Sequence, residues 1–256
     1  MSWHTSAYFA SVAASQTNLD VAAISDGILV IQNGHLIPYK DLMLLYAYSS
    51  GLGLVRSRLT SPKLRQITQP QIRPINKALL PAGNPNVAWY LANYLVCRGQ
   101  EELANQQTTD ATAGPNNNYT VVSLSDKLDP IPAGDILTIR ATSTSTAVAS
   151  AWTLVSYTLD DALPTGTYAM ISSECISTTS IAHRWTYDGQ FLRPGFLGQA
   201  ADSTRVFDGQ YNGRFGSMGR FRNQSLPRLE VLCNAADASF EIFAQVVQVS
   251  TTLQPQ

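Results

Sequence analysis

The chain's three histidines, His4, His35 and His183, are its first candidates for proton transfer at neutral pH, and no motif links them. His4 lies in an N-terminal segment, His35 directly follows Asn33-Gly34, and His183 stands beside Arg184 and Trp185 in an apolar run. Such histidines read as satisfied surface or core residues rather than general bases. No Gly-x-Ser-x-Gly elbow activates any of the abundant serines. The pairs Glu101-Glu102 and Asp160-Asp161 have the residue type for glycoside hydrolysis, in which two carboxylates flank the scissile bond. Adjacent residues on a strand point to opposite faces, so neither pair alone forms that site. Asp202 to Asp208 (DSTRVFD) lacks the dense oxygen-ligand spacing of a calcium loop. Gly213-RFGSMGR combines glycines that expose backbone N–H groups with Arg214, Arg220 and Arg222, the materials of a phosphate cradle. It matches neither the dinucleotide fingerprint nor the P-loop, and no helix pattern follows it, so a long inter-strand loop is the preferred reading. A nucleic-acid-facing surface built from this loop and the Arg56 to Lys77 stretch is the weaker one, and would announce itself by salt-sensitive affinity.

Cys97, Cys175 and Cys233 are odd in number, widely spaced and set in apolar runs, which is the pattern of buried free thiols. No Cys-x-x-Cys or Cys/His cluster offers zinc ligands. The Asn-x-Ser/Thr sequons at Asn118 and Asn223 are short enough to arise by chance. Read for chemistry, then, the sequence nominates no catalytic, cofactor-binding or metal-binding residue, and an enzyme is not expected.

The elements that would position these residues are mostly strands. Only 14% of residues are charged, about half the usual share, and Ser, Thr, Asn and Gln fill the polar positions. Neutral amides and hydroxyls cost less to desolvate than Lys or Glu, so such a surface can be buried against neighbouring subunits; a secreted β protein would look similar. The net charge of −1 argues against a generic binder of nucleic acid or anionic membrane. That total hides an asymmetry. No Asp or Glu occurs between Leu42 and Gln100, where Arg56, Arg58, Lys63, Arg65, Arg73, Lys77 and Arg98 are basic, whereas the stretch from Glu101 to Glu174 is predominantly acidic. Matched potentials of this kind suit subunit contacts, or simply neutralise each other inside one fold. No apolar run is long enough to cross a bilayer as a helix, and the N-terminus lacks a secretory h-region, so the mature chain is expected to begin near Met1 in an aqueous compartment.

Along the chain, a small-residue arm (1–18) precedes Gly27-ILVIQ-Asn33-Gly34-HLIPY, two apolar runs joined by Asn-Gly as in a hairpin. Asp41 to Leu59 fits either a helix or strands, and the prolines from Pro62 to Pro85 predict an extended crossing with short strand pieces. Asn86 could cap a helix carrying Val87, Tyr90, Leu91, Tyr94 and Leu95 on one face. Leu137, Ile139 and Ala141 alternate as a strand face, and Val148, Trp152 and Leu154 suggest a second half-buried strand. A composition break near Leu159-DDALPTGT suggests a boundary there, giving units 19–158 and 159–256. Beyond it come strands at Tyr168-AMISSECIS and Ile181-AHRWTY, the loop from Asp188 to Arg222, and a terminal hairpin of Arg228-LEVLC and Phe240-EIFAQVVQV whose last strand is apolar enough to lie inside a sheet.

Leu163-PTGTYAM, Phe191-LRPG, Gly216-SMGRF and the apolar terminal strand resemble major capsid proteins of tailless icosahedral viruses, of the double jelly-roll kind. That resemblance covers roughly the last hundred residues. It implies a mainly β fold with two jelly-roll sandwiches side by side and one or two short helices, a homotrimer, and self-assembly into an icosahedral shell. The implied partners are further copies of the chain, other virion proteins, and weak contact with packaged genome or an internal membrane, with no small-molecule substrate and no cofactor. Its location would be the virion, assembled in the host cytoplasm. Candidate subunit contacts are Trp3 and Phe9 in the arm, Arg56, Arg58, Arg65 and Arg73 on the basic stretch, and Arg214, Phe215, Arg220 and Arg222 on the Gly/Arg loop. The alternatives are a β-sandwich binding module, a fibre, adhesin or carbohydrate binder whose Trp89, Trp152 or Trp185 stacks on a sugar, and a β-sandwich hydrolase with a carboxylate site assembled from distant strands.

Overall fold

The computed structural model describes residues 3–17, 19–25, 30–31, 34–37, 40–51, 54–62, 71–72, 74–75, 89–109, 116–188, 194–199 and 215–250. The chain divides into two compact units, Thr5–Asp126 and a second made of Met1–His4 with Lys127–Gln256.

In the first unit the strands are β1 (Trp3–Val12, entering from the other unit), β2 (Leu19–Ala23), β3 (Val30–Ile31), β4 (Gly34–Leu36), β5 (Leu42–Ser50), β6 (Leu54–Thr60), β7 (Gln71–Ile72), β8 (Pro74–Ile75), β9 (Trp89–Cys97), β10 (Glu102–Thr109) and β11 (Asn116–Ser125). They run in the order β3-β4-β10-β2-β1-β11-β5-β8, with β6 beside β10, β7 beside β6 and β9 beside β5. Strand β2 pairs with β10 through Leu19 to Val21 and with β1 through Ala22 and Ala23. One strand therefore serves two parts of the sheet, which is how a sheet curls over its own core. That core holds Tyr8, Val21, Leu42, Leu44, Leu59, Leu103, Val122 and Leu124. Beside this apolar cluster lies a buried polar layer. Thr120 Oγ1 meets Ser49 Oγ at 2.7 Å and Ser57 Oγ at 3.1 Å, the Asn105 amide donates to Ser57 Oγ at 2.9 Å, and the Gln107 amide donates to Thr120 Oγ1 at 3.0 Å. Mutual hydrogen bonding offsets the cost of taking these amides out of water, although Gln107 Oε1 is buried without a partner.

The second unit contains β12 (Ile136–Ser143), β13 (Trp152–Val155), β14 (Tyr157–Leu159), β15 (Thr167–Ile176), β16 (Ser180–Thr186), β17 (Gly195–Gln199), β18 (Gly219–Arg222), β19 (Arg228–Cys233) and β20 (Glu241–Ser250). Their order is β13-β19-β16-β17-β15-β20-β12-β14, with β18 beside β15. The two end strands, β13 and β14, are separated only by Ser156, so the sheet must bend back upon itself. Strand β17 makes the other corner, pairing with β16 through Gly195 to Leu197 and with β15 through Gly198 and Gln199. Gly195 lies so close to β16 that an added Cβ would sit 2.1 Å from the His183 carbonyl oxygen. Mainly β, jelly-roll-like units are thus present, as the sequence led one to expect.

Several local expectations are corrected. Trp3 to Val12 is a strand, not a free arm. The units divide at Asp126/Lys127 rather than at 158/159, because β12 and β14 pair with each other and β12 with β20, tying residues 136–159 to the C-terminal sheet. Trp89 to Cys97 is strand, paired with β5 through Leu42↔Cys97 and Tyr46↔Tyr90; its aromatic and β-branched residues fit a pleated surface as well as a helix face, and pairing decides. The ambiguous stretch from Asp41 resolves into β5 and β6. The Asn-Gly hairpin forms, but Gly34 is already paired with Ile31 and the connection falls on Gln32 and Asn33, outside the described residues. The last two strands do not form a hairpin: β19 lies between β13 and β16, and β20 between β15 and β12. The expected loop from Asp188 to Arg222 contains β17 and β18. Leu137, Ile139 and Ala141 do share the more buried face of β12, whereas Val148 and Leu154 are exposed and Val155 is the residue that β13 buries.

The turn before β20 is set by Asp237. Its carboxylate accepts hydrogen bonds from Ser177 Oγ, from Thr179 Oγ1 at 2.5 Å and from Ser239 N at 2.9 Å. Burial pushes this carboxyl up, but the hydrogen bonds outweigh it and hold it below its ordinary value. A depressed folded pKa means stability that is present at neutral pH and lost as pH falls through the carboxylate range. Asp237→Ala is therefore expected to cost about 1–2 kcal/mol in urea unfolding at pH 7, with the gap to wild type narrowing toward pH 3.

Candidate functional site

The sequence-nominated contact residues divide into three groups. Trp3 and Phe215 are brought together inside the C-terminal unit. The Trp3 ring stands edge-on to Phe196 and to Phe215, centroids 6.0 Å apart in each case, and Phe196 and Phe215 stack at 6.3 Å. Trp3 is 0% exposed and Phe215 2%, so neither offers a surface to a neighbour; the aromatic content that suggested a sticky arm is spent on the chain's own core. Phe9 is half-buried against Tyr119 at 5.1 Å.

Outward-facing cations form the second group. On β6, Ser57 and Leu59 point inward, leaving Arg56 exposed and Arg58 half-buried on the other face. The Arg58 Nε donates to Gln106 Oε1 at 2.8 Å, and Gln106 donates in turn to Asp20 at 2.7 Å, so this part of the basic stretch is knitted to its own sheet. On β18, Phe221 is buried and stacks on Tyr168, while Arg220 and Arg222 alternate to the outer face. The third group, Arg65, Arg73 and Arg214, lies outside the described residues, as do Lys63, Lys77 and Asp202 to Asp208.

Arg220 and Arg222 line an open cleft with Tyr187, Asp188, Phe221, Ser225 and Pro227. The Asp188 carboxylate is already engaged: Arg228 reaches it at 3.1 Å and Ser225 Oγ donates to it at 3.2 Å. Tyr187 and Asp188 follow β16, Arg220 and Arg222 lie on β18, and Ser225 closes the following turn, where its N–H donates to the Arg222 carbonyl at 3.0 Å. Sequence reading found the arginines from their number but not Asp188, Ser225 or Arg228; the Arg-Phe-Arg alternation is the signal that would have placed the outer pair on one strand face.

The histidines are structural. His35 is buried in the first unit, its Nε2 donating to the Ala7 carbonyl at 3.2 Å beside the Tyr8 ring. The Tyr8 hydroxyl donates to the Leu103 carbonyl, and burial first of all raises its pKa. His183 is buried in the second unit, with Nε2 2.6 Å from Ser173 Oγ, which also accepts the Trp185 indole N–H at 2.8 Å. A serine touching a histidine is the beginning of a nucleophilic pair, but both are 2% exposed or less, and no substrate atom can reach them. The histidine Nδ1 has no hydrogen-bond partner, and burial lowers its pKa to about 3.

Among the carboxylates, Asp160 pairs with Arg140 at 2.7 Å. The tryptophans proposed for sugar stacking are committed elsewhere: Trp185 is 2% exposed, and the Arg184 guanidinium covers the Trp152 ring at 4.2 Å while pairing with Glu230 at 2.6 Å. The side chain of Trp89 lies outside the described residues. The three cysteines are buried and form no disulfide with one another. Among the described residues no group of three or more His, Cys, Asp or Glu side chains could hold a metal ion, and no helix is long and apolar enough to cross a membrane.

No protein-family model and no curated protein matches the chain. Among solved structures, it aligns with a crystal structure of the STIV MCP, a major capsid protein, over 96% of each chain, at 10% identity and a TM-score of 0.23. Likeness at that level leaves the chain's own geometry as the basis for reading its role.

Proposed function

We propose that this chain is a viral structural protein, a major capsid protein that associates through homotrimers into an icosahedral shell in the virion. The observation that carries the reading is the pairing, in one chain, of two separate compact units that are each a curled, jelly-roll-like sheet. A surface poor in charge can be laid against a neighbour without stranding charge, and the sparse charge of the sequence fits that use. The motifs at Leu163, Phe191 and Gly216 support the same family. A sugar-binding sandwich is less well supported, since Trp185 is buried and Arg184 covers one face of the Trp152 ring.

Size-exclusion chromatography with light scattering, followed by electron microscopy, tests this directly. Trimers at low concentration and closed or sheet-like assemblies at high concentration are expected. A species that stays monomeric across protein concentration and salt would overturn the proposal.

A further inference from the structure

We propose that the aromatic cluster seating Trp3 is an acid-sensitive clasp, in which proton uptake by His183 and the seating of Trp3 exclude each other. His183 and Phe196 stand directly opposite on β16 and β17, so their rings share one face of the sheet, with centroids 6.4 Å apart. Phe196 is also the ring against which Trp3 stands edge-on at 6.0 Å, and Phe215 closes the triangle. A single side chain thus joins the histidine to the start of β1. All four residues are 2% exposed or less. With Nε2 on Ser173 Oγ and no acceptor at Nδ1, an imidazolium cannot satisfy both of its N–H groups in the closed cluster. Burial is the first cause of its lowered pKa, and the hydrogen bond to Ser173 opposes it. Withdrawing Trp3 strips one side of Phe196, which lets that ring turn aside and water reach Nδ1. Protonation then holds the clasp open.

The other titratable groups on the packed strands are placed as follows. Arg184 and Glu174 adjoin His183 and Ser173 in sequence and alternate to the opposite face, where Arg184 pairs with Glu230 at 2.6 Å. On the histidine's own face, Cys175 lies two residues beyond Ser173, and Cys233 two beyond Val231, the residue opposite His183 on β19. The Tyr187 hydroxyl is turned toward Met170 Sδ at 3.5 Å. His4 follows Trp3 on β1.

The opening equilibrium should gain up to about tenfold per pH unit as pH falls below about 6.5. Fluorine NMR of the full chain labelled with fluorotryptophan reads it, the Trp3 signal being identified by its loss in Trp3→Phe. That signal is expected to move toward its solvent-exposed position between about pH 6.5 and pH 4, ahead of Trp152, which reports on the rest of the unit. His183→Gln should hold the Trp3 signal in place, and His4→Gln should leave its movement intact. Linkage requires the reverse effect as well. Proton NMR titration of the His183 ring should show proton affinity raised about tenfold or more in Trp3→Ala and in Trp3→Leu, an arm that needs no histidine variant to fold. The proposal is overturned if Trp3 stays seated down to about pH 4 or leaves only together with Trp152, if His183→Gln keeps the acid response, or if His183 takes up its proton at the same pH with and without Trp3. Shell assembly plays no part in either arm, so the clasp stands or falls independently of the capsid reading.

Discussion

Replacing Trp3 with alanine should remove about 3–5 kcal/mol from the stability of the C-terminal unit, the range observed for a large buried aromatic truncated in a core. The residue is completely buried, and its edge-to-face contacts with Phe196 and Phe215 add to the plain burial of its surface. Urea unfolding followed by near-ultraviolet circular dichroism would measure the loss. Trp3→Phe should recover part of it, and Phe9→Ala, at a half-buried site, should cost distinctly less. A Trp3→Ala protein within 1 kcal/mol of wild type would mean that the start of β1 contributes little to the C-terminal unit.

Acid should weaken the same unit through His183. Its folded pKa of about 3 lies below the ordinary 6.5, and desolvation is the cause. The unfolded chain therefore takes up a proton that the folded one refuses. Stability is complete above about pH 6.5 and declines as pH falls toward 3, with a loss of about 3 kcal/mol between pH 7.5 and pH 4. Geometry explains the refusal. Nε2 is committed to Ser173, whose oxygen is held by the Trp185 indole, and a proton on each ring nitrogen would add buried charge, with Nδ1 lacking an acceptor. His183→Gln should flatten the pH dependence by that amount. Equal slopes for variant and wild type would assign the acid sensitivity to the carboxylates, Asp237 among them.

Strand content was legible because alternation and β-branched runs survive without context: β12, β15, β16 and β20 stand where the sequence put them. Partner choice was not. The terminal pair looked like a hairpin because proximity in sequence usually predicts proximity in a sheet, yet β19 and β20 each take other neighbours. Residues 89–97 carry an apolar spacing that suits both a helix face and a strand, and only the ladder with β5 separates the two. The polar layer was hidden for a different reason. In β10, Leu103, Asn105, Gln107 and Thr109 point inward while Ala104, Gln106 and Thr108 point outward, so polarity does not mark the buried face. At the candidate site, the paired arginines were visible, but the carboxylate of Asp188 comes from a segment far away in sequence. Trp3 was picked out for its chemistry, and its two readings, docking under a neighbour or packing on its own domain, look the same in sequence; in the chain it packs on Phe196 and Phe215.

The division of the chain places Thr5–Asp126 as an insert within a unit whose first residues precede it. This has a consequence for biosynthesis. As the chain leaves the ribosome, the inserted unit is complete while Trp3 still has neither Phe196 nor Phe215 to pack against. The outer unit can close only after the segment carrying Phe196 and Phe215 has been made, although Trp3 is made before the inserted unit. A product interrupted before Phe196 would carry a finished inner unit together with a tryptophan that lacks its ring partners.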